Sequence, residues 1–180
     1  MNDDFALYFK EVFKGWPHYV GIIVAVYIII AISVGLLKKR RVACGMLMCG
    51  YCLLLLHATV FSRSTGQFPK YSLCPFYSYY DIAKGNYSLF PQVLMNVLLF
   101  IPVGFFVKGT FSRWNWEWLL VVGAIISIII EILQFLLRRG VAELDDIIHN
   151  TLGCALGILL YEITRSTKEF LKRNHQHLSA

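Results

Sequence analysis

The sequence is short of charge. Its 180 residues hold 17 Lys and Arg and 11 Asp and Glu, so 16% are charged and 57% are hydrophobic, and mean hydropathy reaches +0.59. A soluble domain usually carries about a quarter charged residues, and this composition excludes one. The scarcity is also uneven. Charges almost vanish from several stretches long enough for the roughly 20 helical residues that cross a hydrocarbon core. Those continuous Ile, Leu and Val runs exclude a membrane barrel, whose strands alternate over about ten residues.

Other absences narrow the chemistry. The start, Met1-Asn2-Asp3-Asp4, has no basic n-region, so the first apolar block is expected to stay in the mature protein. Five cysteines form no even framework, and Cys49-x-x-Cys52 has neither a βαβ context nor a second pair for zinc. A P-loop, a dinucleotide fingerprint, a nucleophile elbow and H-E-x-x-H are all missing, and Glu131, Asp145, Asp146 and His149 lack metal-ligand spacing. No metal and no cofactor are expected. The net charge of +6 lies between apolar blocks and at the C-terminus, which is the pattern of topology signals and not of nucleic-acid binding.

What is present predicts an all-α integral membrane protein of about five transmembrane helices preceded by a short interfacial helix. Phe5, Phe9, Val12, Phe13 and Trp16 recur at near-helical spacing before Pro17. The expected spans are Tyr19 to Leu37, Val42 to Phe61, Pro91 to Val107, Trp116 to Leu137 and Ile147 to Ile163. Lys38 to Arg41, Lys108 with Arg113, and Arg165, Lys168, Lys172 and Arg173 fall on one side, which the positive-inside rule makes cytoplasmic. The N-terminus and the loop Ser62 to Phe90 are then outside and the C-terminus is inside. The chain divides into an extracytoplasmic segment 1–16, a transmembrane domain 17–164 and a basic cytoplasmic tail 165–180.

Polar residues collect at the outer end. Ser127, Glu131, Gln134 and Arg138 are spaced by four, three and four, which makes one stripe on span four. Glu131 lies about six residues, roughly 9 Å, below that helix end, and an acid at such depth is a functional candidate that needs a partner. Span five carries Asp145, Asp146 and Asn150 above Gly153 and Gly157, a small-x-x-x-small pair expected to pack on span four. Span three offers Gln92 and Asn96 near its outer end and then Pro102 and Gly104, while Arg63 and His57 cap span two. The candidate ligand-binding set is therefore Arg63, Asn96, Glu131, Gln134, Arg138, Arg139, Asp145, Asp146 and Asn150. Glu131 and Asp146 are the candidate acids if any catalysis occurs. Glu131, Asn96, Asp146 and Asn150 are expected to converge on one outward-opening polar cavity.

Several of these stretches together resemble the VanZ-like family. They are Leu73-Cys74-Pro75-Phe76, the run Asn96 to Gly104 with its Ile101-Pro102-Val103-Gly104 end, Glu131-Ile132-Leu133-Gln134, and Glu143-Leu144-Asp145-Asp146-Ile147-Ile148-His149-Asn150-Thr151-Leu152-Gly153. The resemblance covers about residues 60–160. The family often carries an Arg at what is Gly140 here, whereas this chain has Arg138 and Arg139 slightly earlier. It gives structural weight to Pro75, Phe76, Pro102, Gly104, Gly153 and Gly157. It implies reduced sensitivity to teicoplanin-type lipoglycopeptides. The implied partners are membrane lipid and either a lipid-linked cell-wall precursor or the drug, met at the outer face of a bacterial membrane.

Three functions follow from these residues: a binding protein with an outer-leaflet groove, a membrane enzyme acting on a polyprenyl or phospholipid head group, and a small transporter. The binding role is the main reading. An enzyme would use Glu131 or Asp146 as base and an Arg to hold phosphate. A transporter usually shows an internal repeat, and none is evident.

Overall fold

The computed structural model describes residues 25–30, 33 and 40–178. The expected interfacial segment 1–16 and most of the first expected span lie outside the described residues. Residues 25–30 are helical, and Tyr27 packs against Tyr51 with ring centroids 4.8 Å apart.

Helix α1 (Arg40–Leu56) continues into a π-helical turn (His57–Phe61). There follow strand β1 (Lys70–Ser72), helix α2 (Tyr77–Ala83) and a 3-10 turn (Tyr87–Leu89). The remainder is α3 (Phe90–Thr110), α4 (Trp116–Leu137), β2 (Val141–Glu143) and α5 (Leu144–Leu178). Four described helices are long and apolar enough to cross a membrane, over Arg41–Phe61, Tyr87–Thr110, Trp116–Leu137 and Leu144–Asn174. The chain is an all-α membrane protein, as its composition requires.

The centre of the bundle is α3, whose Leu99, Phe100, Val103, Phe105 and Phe106 are all buried. It packs closely on α5 because glycines remove the side chains that would keep the backbones apart. A Cβ on Gly104 would overlap the Cys154 carbonyl, one on Gly153 the Val97 carbonyl, and one on Gly157 the Ile101 carbonyl. In lipid, where apolar burial drives little association between helices, such close packing is a main source of affinity. Gly153 and Gly157 were expected to pack on span four and instead face span three. The contact with α4 is made by Gly123, which leaves room for the Cys154 side chain. Pro102 sits inside α3 without ending it, and about one turn earlier the Tyr51 hydroxyl donates to the Leu99 carbonyl at 2.8 Å.

At one end of the bundle the two connecting loops meet. β1 and β2 pair in parallel, Lys70 opposite Val141, Tyr71 opposite Ala142 and Ser72 opposite Glu143. This short ribbon satisfies backbone groups that a bare loop could not. The turn into it requires positive φ at Arg138, the α4 C-cap, and at Gly140.

Candidate functional site

Each acid at the ribbon end has a defined backbone or side-chain partner. Glu131, 5% exposed on α4, accepts the Glu143 N–H at 2.9 Å and so ties the end of β2 to the helix. Gln92 on α3 donates through Nε2 to Glu143 at 3.1 Å and to Asp146 at 3.2 Å. Three helices are thereby joined in one polar chain, Glu131 to Glu143 to Gln92 to Asp146. Burial pushes the Glu143 carboxyl above the ordinary carboxylate range, and the charge of Asp145 adds to this; the Gln92 bond and the Arg63 charge oppose it.

Arg63 is the cation that faces this chain. Its charge acts on Glu131, Glu143 and Asp146. Its guanidinium lies over Gly140, where an added Cβ would come within 2.6 Å of Nη1. Arg138 and Arg139 turn to backbone instead. Arg139 Nη1 donates to the Phe61 carbonyl at 2.6 Å and the Arg63 carbonyl at 3.2 Å, and Arg138 Nη1 donates to the Gln67 carbonyl at 3.2 Å. Arg139 closes the end of the π-helical turn, where Gln134 Nε2 also donates to the Thr59 carbonyl at 3.0 Å, and Arg138 holds the loop beyond it.

Asp145 has a different task from its neighbour. Its two oxygens accept the backbone N–H groups of Phe76, at 2.5 Å, and Ser78, at 2.8 Å. A carboxylate at a helix N-terminus satisfies orphan donors and faces the positive end of the dipole. Phe76 reaches this position in the left-handed region, with φ 60°. One turn further along α5, His149 Nε2 lies 3.1 Å from the Tyr79 hydroxyl. Together these bonds hold α2 on α5.

Deeper in the bundle Asn150 Nδ2 donates to Ser127 Oγ at 2.8 Å, linking α5 to α4. Asn150 Oδ1 and Asn96 Nδ2 are buried without a hydrogen-bond partner among the described residues.

A groove of about 400 Å³ opens beside this chain. Ile128, Ile132 and Phe135 of α4 form one wall, with Tyr71 and Leu73 of the loop and Ile147 of α5 opposite; Glu131 and Glu143 are its acidic residues. Of Glu131, Asn96, Asp146 and Asn150, which were expected to share one polar cavity, Glu131 lines this groove, whose surface is apolar, and the other three lie buried between helices. Glu143, Gln92 and Tyr79 were missed as site residues. Glu143 stood in the acidic motif and Gln92 near the end of span three, but no spacing rule reveals a bond across 51 residues. Among the described residues no group of three or more His, Cys, Asp and Glu is arranged to hold a metal ion.

The model of the VanZ/LLP1 family matches residues 43–165. The chain belongs to the VanZ/LLP1 family. It is also similar to Protein VanZ of Enterococcus faecium, with 32% identity over 82 residues, which cover 46% of this chain and 49% of that protein. The chain thus aligns with about half the length of this curated relative. No solved structure matches. The family region encloses the acids, Gln92, Arg63, the ribbon and every groove residue.

Proposed function

We propose that this member of the VanZ/LLP1 family lowers bacterial sensitivity to teicoplanin-type lipoglycopeptides from the outer face of the membrane. Its groove engages either a lipid-linked cell-wall precursor or the acyl chain of the drug. The observation that carries this reading is the groove itself: apolar walls built from α4 and the ribbon, with Glu131 and Glu143 among the lining residues. Its volume is within the roughly 300–1,000 Å³ of small-ligand sites, which are largely apolar with a few polar groups that orient the ligand. A lipid chain suits the apolar walls.

The test is expression in a susceptible Gram-positive host, with growth inhibition measured for an acylated glycopeptide and for one lacking the acyl chain. The expected result is protection weighted to the acylated drug, lost in Glu131→Ala and Asp146→Ala while the protein still reaches the membrane fraction. Full protection by both variants, or none by the wild type, would overturn it. Glu131→Gln keeps an acceptor for the Glu143 N–H, so a binding role tolerates it. Complete loss with that variant alone would favour an enzyme acting on a lipid head group.

A further inference from the structure

Helix α5 is longer than a membrane requires. Its 35 residues span about 52 Å at 1.5 Å per residue, against a hydrocarbon core of about 30 Å, so about 20 Å emerges at the end opposite the groove. The level of emergence is marked by the Lys108–Glu162 ion pair at 3.0 Å, which joins the end of α3 to α5.

The emerging part is patterned. Within the span, Leu152, Leu156, Leu159 and Ile163 are exposed on one narrow stripe at about 100° per residue. Phe170, 62% exposed, continues that stripe, and Leu171, 60% exposed, lies at its edge. The side that meets acyl chains therefore carries on past Glu162. Arg165, Lys168 and Lys172 occupy the opposite side and Arg173 a flank, with Glu169 the single acid between Arg165 and Asn174. Glu169 is taken up by Arg165 at 3.0 Å, while Lys172 and Arg173 are exposed. An apolar stripe continuous with a lipid-facing surface and flanked by cations is the pattern of a helix at an anionic membrane interface.

We propose that residues 165–174 of α5 bind the anionic head groups of phospholipids in the adjacent leaflet, with the long side chains of Lys172 and Arg173 on the phosphates. Juxtamembrane cations each contribute about 1 kcal/mol to such binding, or roughly a fivefold change in affinity, and salt screens them. The role is separate from the groove at the other end and does not depend on it.

The experiment uses the full chain in nanodiscs of phosphatidylcholine doped with phosphatidylglycerol at matched mole fractions, with the lipids that stay bound after detergent transfer identified by native mass spectrometry. Wild type is expected to retain phosphatidylglycerol over phosphatidylcholine, and the preference should fall about 25-fold in Lys172→Gln/Arg173→Gln, from roughly fivefold per charge. The preference of the wild type should also collapse between 0.05 and 0.5 M salt, on the order of the range over which such charges are screened. Should the double variant fold poorly, the salt series on the wild type remains decisive. Equal retention of the two lipids, retention unchanged by the double substitution, or a preference indifferent to salt would each overturn the proposal.

Discussion

At the residue scale, the two adjacent aspartates do different things because one faces a loop and the other a helix interface. Asp145 is a remote cap for α2. Asp145→Ala leaves the backbone N–H groups of Phe76 and Ser78 without their acceptor, at about 1–3 kcal/mol for the buried one at Ser78. The expected outcome is selective loosening of residues 76–83, read as faster hydrogen exchange there with α3 to α5 unchanged; uniform exchange would count against the capping role. Glu143 makes a pH prediction. Its carboxyl is raised above its ordinary range, chiefly by burial, so folding favours its neutral form. The stability it contributes is complete below the ordinary Glu pKa and is lost as pH rises through the raised value. Glu143→Gln should therefore melt higher than wild type at pH 8, with the gap narrowing towards pH 4, at roughly the ordinary carboxyl value. A gap constant with pH would sink this account.

At the element scale, packing is decided by which backbone each glycine meets. Gly153 and Gly157 were legible in the sequence as a small-residue pair, but periodicity says which face is small and not which helix will use it. Both serve the α3 interface, where Gly104 answers from the other side. Gly153→Leu should force α3 and α5 apart and remove most of the monodisperse protein, by overpacking of about 1–3 kcal/mol or more. Leu152→Ala, on the exposed neighbouring face, should elute like wild type. Equal behaviour of the two variants on size-exclusion chromatography would refute the close crossing. The π-helical turn at His57–Phe61 was not legible at all. Two of its carbonyls are satisfied by Gln134 of α4 and by Arg139 just beyond that helix, partners more than 70 residues away in sequence.

At the scale of the whole molecule, charge and chemistry are polarised along the bundle. Acids, ribbon and groove occupy one end, and the basic extension of α5 occupies the other. The orientation proposed here, with the groove outward, comes from applying the positive-inside rule to that polarity. Cys74 offers a direct test, since it is exposed in the loop that carries β1. A membrane-impermeant maleimide should label Cys74 in intact cells, and Cys74→Ser should abolish that signal. Labelling only after lysis would place the groove inside and remove the basis for action at the outer face.

Taken alone, the sequence determined the membrane class, the limits of span four, and the outlying acids, because hydropathy and helical period are local properties that a short window records. It also showed the motifs from Leu73 to Phe76 and from Glu143 to Gly153. Only the tertiary structure decided what those motifs do: that Asp145 caps α2, that Glu131 holds the Glu143 N–H, that Arg63 and not Arg138 or Arg139 faces the acids, and that the cleft beside them is apolar. The physical reason is distance along the chain. A buried carboxylate is satisfied by whichever donor the fold carries to it, and here those donors come from loops and helices that no sequence period connects.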